Sequence, residues 1–414
     1  MDMEERAVKE LGLYFHIPFC ERKCSYCDFL SAPGSEQVKR RYMEALLAET
    51  AGCASLYWDY TVDTVFLGGG TPSVVPVETI ERLMDTVRGH YRLGRDPEVS
   101  MEVNPGTVSC EMLARLRQAG INRLSIGLQS ADDGLLAALG RIHTWEQFQE
   151  TFRWARRAGF ENINVDVMSA LPGQTLLGYL ETLERVLGLD NPPEHISAYS
   201  LILEEGTPLY EKYGQGFLEL PDEDTDRLMY QETKRTLADR GYHRYEISNY
   251  AREGCECRHN CGCWRRKNYV GFGIGAASLV ENVRFRNGGN LGIYMEKPLE
   301  CREEIQRLSR QEQMEETMFL GLRMVEGVDP QVFERQFGQS LQEVYGSVVN
   351  RNIRDGLLEW RSCGERPAED VWTGEGNLLG EGTVSAGKNC FRLALTERGL
   401  DLSSYVMSQF LLEE

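Results

Sequence analysis

Apolar runs of strand length alternate with amphipathic stretches six times before residue 242, and this rhythm limits the fold more than any other feature. The runs are Gly12–Ile17, Asp63–Leu67, Glu98–Val103, Arg123–Ile126, Asn162–Val167 and His195–Ile202. The amphipathic stretches are Glu36–Tyr57, Val77–His90, Cys110–Ala119, Trp145–Ala158, Leu176–Leu189 and Asp222–Arg240. Gly120, Gly159 and Gly241 follow three of them, where a residue free to take positive φ closes a helix. Strict alternation predicts an α/β fold with a parallel sheet and right-handed crossovers. Six units rather than eight predict an open, partial (β/α)6 barrel whose working edge lies at the carboxyl ends of its strands.

The rhythm then fails. Residues 242–300 mix short strand-like pieces with a cysteine-rich loop and a glycine-rich segment, and a helical pattern returns from Ser309. It runs through Gln313–Met324, Asp329–Phe337 and Leu341–Asp355, and a Phe391-Arg-Leu-Ala-Leu strand and a closing helix follow. Helices followed by a short ribbon predict a small winged-helix-like domain. Residues 362–389, rich in Gly, Glu and Ser, read as a surface insertion. The expected division is 1–241 as barrel, 242–300 as connecting region and 301–414 as C-terminal domain, in keeping with 414 residues.

Charge narrows the partners. Lys and Arg number 45 against 64 Asp and Glu, a formal charge of −19, which repels phosphate backbones and anionic lipid heads. Nucleic acid is therefore not an expected partner. The opening Met1–Glu10 is charged, unlike a signal or transit peptide. The charge-free stretch Tyr269–Val280 is too short to span a bilayer. Twelve cysteines fall far below the density of a disulfide scaffold, and their clustering suggests metal or redox chemistry in a cytoplasmic protein.

The first cluster is His16-Ile-Pro-Phe-Cys20-Glu-Arg-Lys-Cys24-Ser-Tyr-Cys27, a CX3CX2C loop directly after the first strand. A [4Fe–4S] cluster ordinarily takes four cysteines, so three leave one iron open to a small molecule. A Cys3His zinc site completed by His16 is the competing reading, and inert thiols the third. Each later strand ends in a candidate ligand-binding group: the turn Gly68-Gly69-Gly70-Thr71-Pro, then Glu102, Gln129 and Asp166. Any one of these serves equally as a turn residue or helix cap. Together, at successive strand ends, they would ring one pocket.

These segments resemble the radical S-adenosylmethionine (SAM) superfamily. In that family SAM chelates the open iron, and an electron from the cluster cleaves it to a 5′-deoxyadenosyl radical. More narrowly, the chain is similar to the branch of oxygen-independent coproporphyrinogen III oxidase (HemN) and the haem chaperone HemW. The likeness rests on Tyr14-Phe-His-Ile-Pro-Phe-Cys20, Asn122-Arg-Leu-Ser-Ile-Gly-Leu-Gln129-Ser, Leu139-Gly-Arg141-Ile-His-Thr, Leu171-Pro-Gly-Gln-Thr and Tyr245-Glu-Ile-Ser-Asn249-Tyr. It implies Cys20, Cys24 and Cys27 as cluster ligands. It implies SAM contacts at Tyr14, Tyr26, Gly69, Gly70, Thr71, Glu102, Gln129, Arg141 and Asp166. Arg141 would pair with a carboxylate, its plain alternative being a solvated arginine at a helix end.

Three features place the chain nearer HemW. Asp28-Phe29 stands where the oxidase carries a further cysteine, and nineteen residues precede Cys20, so the oxidase's longer N-terminal region is expected to be missing. Arg258-His259-Asn260-Cys-Gly-Cys-Trp264 resembles the HNxxYW motif associated with haem, with Cys263 at the tyrosine position. The resemblance implies haem bound at His259, acceptor haemoproteins, an electron donor for the cluster, and peripheral contact with membrane-bound acceptors. Cys255, Cys257, Cys261 and Cys263 offer enough soft ligands for a second metal, but the family motif does not require one and ordinary thiols are the expected reading. Gly271-Phe-Gly-Ile-Gly275 follows no early βαβ strand and reads as tight backbone packing rather than a dinucleotide site. An enzyme acting on a tetrapyrrole is the alternative function.

Overall fold

The structure, a computed structural model, describes residues 9–362 and 391–412. The chain divides into two compact units. The larger runs to Cys263 and resumes over Lys267–Arg307, and the smaller joins Trp264–Arg266 to the chain from Leu308 onward.

All six expected strands form. They are β1 (Lys9–Ile17), β2 (Tyr60–Gly69), β3 (Leu93–Val103), β4 (Arg123–Gln129), β5 (Asn162–Ser169) and β6 (His195–Ser200), parallel neighbours in chain order. The helices between them are α1 (Glu36–Cys53), α2 (Val77–His90), α3 (Cys110–Gln118), α4 (Asp133–Ala138), α5 (Trp145–Arg157) and α6 (Leu176–Leu187). After β6 come α7 (Pro208–Gly214) and α8 (Glu223–Asp239). Gly120, Gly159 and Gly241 take φ of +98°, +86° and +80°, the helix-closing conformation expected of them.

The sheet extends past both ends of this array. β8 (Asn249–Ala251) adds antiparallel to β6, and β7 (His243–Arg244) pairs antiparallel with β8 at the edge. Beyond the short helix α9 (Arg258–Trp264), β9 (Tyr269–Phe272) pairs parallel to β1. β10 (Ala277–Val280), β11 (Val283–Asn287) and β12 (Arg302–Arg307) continue antiparallel from β9. The order β12-β11-β10-β9-β1-β2-β3-β4-β5-β6-β8-β7 does not close on itself, so the barrel is partial.

Boundaries differ from the periodicity where local chemistry intervenes. β3 begins at Leu93, ahead of Pro97; its pairing to β2 jumps from Leu93 to Glu98, so the proline lies where no ladder bond is needed. α4, too short to show a period, is fixed instead by Asp132, whose carboxylate accepts the N–H groups of Gly134 and Leu135.

The strands alternate between two unlike faces. Leu13, Phe15, Ile17, Val65, Leu67, Leu124, Ile126, Ile163 and Val165 are fully buried in one core with Leu46, Ile80, Leu83, Leu113, Phe148 and Leu183 of the helices. Each such side chain stabilises the fold by about 1.5–3 kcal/mol. The opposite face carries Tyr14, His16, Glu102, Ser125, Asn164, Asp166, His195 and Ser197, a polar set one residue out of phase with the core. A buried parallel sheet otherwise tends to continuous apolar strands. Polar alternation here marks an interior reserved for something other than packing.

The smaller unit places α10 (Leu291–Glu296) outside itself and contains α11 (Arg310–Arg323), α12 (Pro330–Phe337) and α13 (Leu341–Arg354). An antiparallel ribbon follows, β13 (Leu358–Ser362) with β14 (Phe391–Leu395), the helices-then-ribbon order of a winged-helix-like domain. Ser309 and Ser340 close capping boxes with Glu312 and Glu343. The segment read as a surface insertion falls, from residue 363, outside the described residues. Among the described residues no helix is long and apolar enough to cross a membrane.

Candidate functional site

The cysteine loop leaves β1 at its carboxyl end and is tied down along its length. Ser25 N–H donates to Leu139 O at 3.0 Å, and Leu209 N–H donates to Ser25 O at 2.8 Å, so the loop meets the segments after β4 and β6. His16 holds its far end. One ring nitrogen, Nε2, lies 2.9 Å from Leu30 O, while Nδ1 lies 3.0 Å from Tyr14 Oη. Both nitrogens are therefore engaged, and His16 is not placed as the fourth ligand of a closed Cys3His zinc site. Among the described residues no three His, Cys, Asp or Glu side chains form a single-ion cage.

The glycine turn after β2 packs against this loop. Gly69 sits at φ +112°, and a Cβ there would lie 2.6 Å from the His16 ring. A Cβ on Gly70 would lie 2.6 Å from Phe19 O, and Thr71 N–H donates to that same carbonyl at 2.7 Å. Here the close approach expected of the glycines is made to the cysteine loop itself. Thr71 Oγ1 then reaches Cys20 Sγ at 3.4 Å.

Arg141 is not a solvated helix-end arginine. Its guanidinium donates to Asn104 Oδ1 at 2.7 Å, to Gly127 O and to Cys24 Sγ at 3.8 Å. Asn104, on the loop after β3, was not singled out by the sequence; a lone Asn before Pro reads as a turn residue, and only the fold brings it under Arg141. Cys27 is half-buried, and loss of solvent pushes its thiol upward.

Two acids of the polar face meet beneath this layer: Glu102, next to the end of β3, and Asp166, which lies within β5 rather than at its end because that strand runs on to Ser169. Glu102 Oε2 accepts Gly69 N–H at 3.0 Å. Burial, followed by the neighbouring Asp166 charge, pushes the Glu102 carboxyl up to about 8. Asp166 accepts from Asn164 Nδ2 at 2.7 Å and Ser125 Oγ at 3.5 Å, and burial raises its carboxyl too. Gln129, at φ +73°, accepts from Tyr199 Oη at 3.2 Å. Tyr26 packs by Leu139, Leu171, Leu201 and Tyr199, and its phenol is raised by burial. Tyr199, a β6 residue also missed by sequence reading, feels the charges of Asp166, Arg141 and Glu102. Tyr14, Tyr26, Glu102, Gln129, Arg141 and Asp166 thus line one interior, which holds two carboxyls whose proton affinity a cation would lower. The three thiols at its rim, two of them already receiving hydrogen bonds, fit a [4Fe–4S] cluster with an open iron; the acids fit a cationic ligand such as SAM.

His259 lies elsewhere. It stands on α9, whose first N–H groups, Arg258 and His259, donate to Glu98 at 2.9 and 3.1 Å. The ring stacks on Phe66, centroids 5.3 Å apart, with Nδ1 2.9 Å from Thr64 Oγ1. Burial drops its imidazole to about 4, so it is neutral. The cleft it borders, shared with Gly12, Asp63, Arg258 and Cys263, holds about 20 Å³, room for water rather than a macrocycle. Trp264 belongs to the smaller unit, with the Arg323 guanidinium 4.4 Å from its ring. Cys257 donates its thiol to Glu98 at 3.7 Å, and burial pushes Cys257 up to about 12 and Cys263 to about 11, values of thiols that stay protonated. The Gly271–Gly275 segment does pack tightly on neighbouring backbone: a Cβ on Gly273 would lie 2.5 Å from His16 O, and one on Gly271 would collide with Ala277 O. Gly273 N–H also donates to buried Glu49 at 2.9 Å, and Ile274 N–H to Tyr42 Oη at 3.1 Å.

Comparison with known proteins gives a consistent result. Residues 14–186 match the radical SAM superfamily model, and residues 308–362 the HemN C-terminal domain. Heme chaperone HemW of Lactococcus lactis subsp. lactis is 34% identical over 98% of this chain and 98% of its own. Heme chaperone HemW of Bacillus subtilis is 36% identical over 90% of this chain and 98% of its own. Among solved structures, coproporphyrinogen III oxidase (HemN) from Escherichia coli superposes with a TM-score of 0.78 at 23% identity, covering 98% of this chain and 90% of its own. That last likeness speaks to the fold.

Proposed function

The chain belongs to the radical SAM superfamily and, within it, to the HemW family, and from that premise we propose that it is a haem chaperone carrying a [4Fe–4S] cluster and SAM. Full-length likeness to the HemW chaperones carries this reading. The cluster would supply a reducing electron and an open iron. Cys20, Cys24 and Cys27 hold it, with Thr71 and Arg141 donating to two of the sulfurs. Glu102 and Asp166 accept from the cationic or hydroxyl groups of SAM, Gln129 and the Tyr26 and Tyr14 rings complete the wall, and Gly69 and Gly70 bring the turn close enough to contact it. The chaperone binds haem and passes it to acceptor haemoproteins, drawing on an electron donor for its cluster; the His259 motif serves as the haem site only with α9 displaced, because the cleft beside His259 has no room for a macrocycle. Its ten described cysteines are free thiols, which suits a reducing cytoplasm. Oxidase chemistry is disfavoured because Phe29, 62% exposed, stands where the oxidase has its additional cysteine.

The test is anaerobic. Reconstituted protein is incubated with reductant and SAM, and separately given haem or coproporphyrinogen III. Haem should bind, with its absorption band shifted, while the porphyrinogen stays unchanged on chromatography. Multiple-turnover decarboxylation that disappears with Cys24→Ala would replace the chaperone by an oxidase.

A further inference from the structure

One half-buried cation is connected to two of the three cluster cysteines. Arg141 Nη1 donates directly to Cys24 Sγ at 3.8 Å, and Nη2 donates to Asn104 Oδ1 at 2.7 Å. A guanidinium only donates, so the Asn104 atom facing it must be the oxygen, which turns Nδ2 toward Thr71. Asn104 Nδ2 donates to Thr71 Oγ1 at 2.7 Å. The hydroxyl, its lone pair occupied by that donor, keeps its own proton for Cys20 Sγ at 3.4 Å. Every bond in the series therefore points from the cation toward a sulfur.

Resting on the cluster reading above, we propose that Arg141, Asn104 and Thr71 form a polarised hydrogen-bond relay that sets the reduction potential of the cluster, with Asn104 as the positioning residue. One-electron reduction adds negative charge that is shared with the thiolate sulfurs. Donors aimed at those sulfurs stabilise the reduced form more than the oxidised one, so the relay raises the potential. The site is low in dielectric and the donors are fixed, which strengthens the effect. This role is exerted before SAM arrives and is separate from any contact these residues make with it.

The experiment is an EPR-monitored dithionite titration of reconstituted protein without SAM. Thr71→Val removes the donor to Cys20 at nearly constant shape. Asn104→Asp puts an acceptor where Nδ2 stood, so the Thr71 proton turns away from Cys20. Each should lower the reduced fraction at a fixed solution potential about tenfold, a shift of ~59 mV to more negative values for one electron. Thr71→Ser, which keeps the hydroxyl, should titrate like the wild type. Variants with full iron content and the wild-type potential would overturn the relay. If Thr71→Val cannot hold the cluster, a Thr71→Ser protein that holds it at the wild-type potential supports the donor role, whereas loss in both variants assigns the effect to the methyl group and overturns it. Wild-type protein that holds no iron refutes the cluster reading itself, a separate outcome.

Discussion

Glu102 gives the most direct handle on the ligand pocket. In the free protein its carboxyl sits at about 8, driven first by burial and then by Asp166, while the Gly69 N–H works in the other direction. At pH 7 the group is therefore mostly protonated, and ionising it costs one unit, ~1.4 kcal/mol. A cationic ligand is held by the ionised form. Affinity for SAM should then fall about tenfold for each pH unit below 8 and level off above it, with close to one proton released by Glu102 per SAM bound at pH 7. Glu102→Gln keeps an acceptor for Gly69 and cannot titrate. The assay is anaerobic calorimetry of SAM binding from pH 6 to 9 in buffers of different ionisation enthalpy, with wild type and Glu102→Gln compared. Any proton lost by SAM itself appears in both proteins and cancels in the difference. Identical proton release and identical pH profiles in the two would refute the argument, because the buried acid would then be indifferent to the ligand's charge.

Other outcomes follow from the same geometry. Replacing Cys20, Cys24 and Cys27 together by Ala should reduce iron from about four per chain to none, and metal retained by that mutant would mean that Cys255, Cys257, Cys261 and Cys263 form a site of their own. His259→Ala should weaken haem binding in a spectral titration; unaltered affinity would remove the motif from the haem site. Because His259 is held inside the barrel by the cap that Glu98 provides to α9, Glu98→Gln should speed haem association by about 5–30-fold, the equivalent of ~1–2 kcal/mol of lost hydrogen bonding, as followed by stopped-flow absorbance; an unchanged rate would show that α9 need not move. Phe148→Ala, at a fully buried position stacked on Trp145, should lower unfolding stability by about 3–5 kcal/mol in denaturant titration, and a change below ~1 kcal/mol would contradict the packing described for α5.

The order of elements was legible because it is written locally. Six apolar runs, the glycines that close helices and the serine and threonine caps act within a few residues of themselves, so β1 to β6 and the longer helices can be read from spacing alone, whereas α4 and α7 are too short to show a period. The cysteine triplet and the strand-end positions of Glu102 and Gln129 were legible for the same reason: a loop after a strand and a residue at its end follow from chain order in a parallel sheet. Asp166 was expected to end its strand, but β5 runs on to Ser169, because Val167 and Met168 are apolar and keep pairing with β6. What the sequence could not express was which side chains meet across the barrel. Arg141 and Cys24 are separated by 117 positions and Thr64 and His259 by 195, and no local pattern encodes either pair. Asn104 precedes a proline and has no local signature; its place between Arg141 and Thr71 exists only in the folded chain. The motif names His259 without its surroundings; that its ring lies against Phe66 of β2, with its backbone N–H held by Glu98 of β3, is decided by where α9 enters the fold. Tertiary packing decided these roles, since a proton's direction and a group's charge depend on which neighbours replace water.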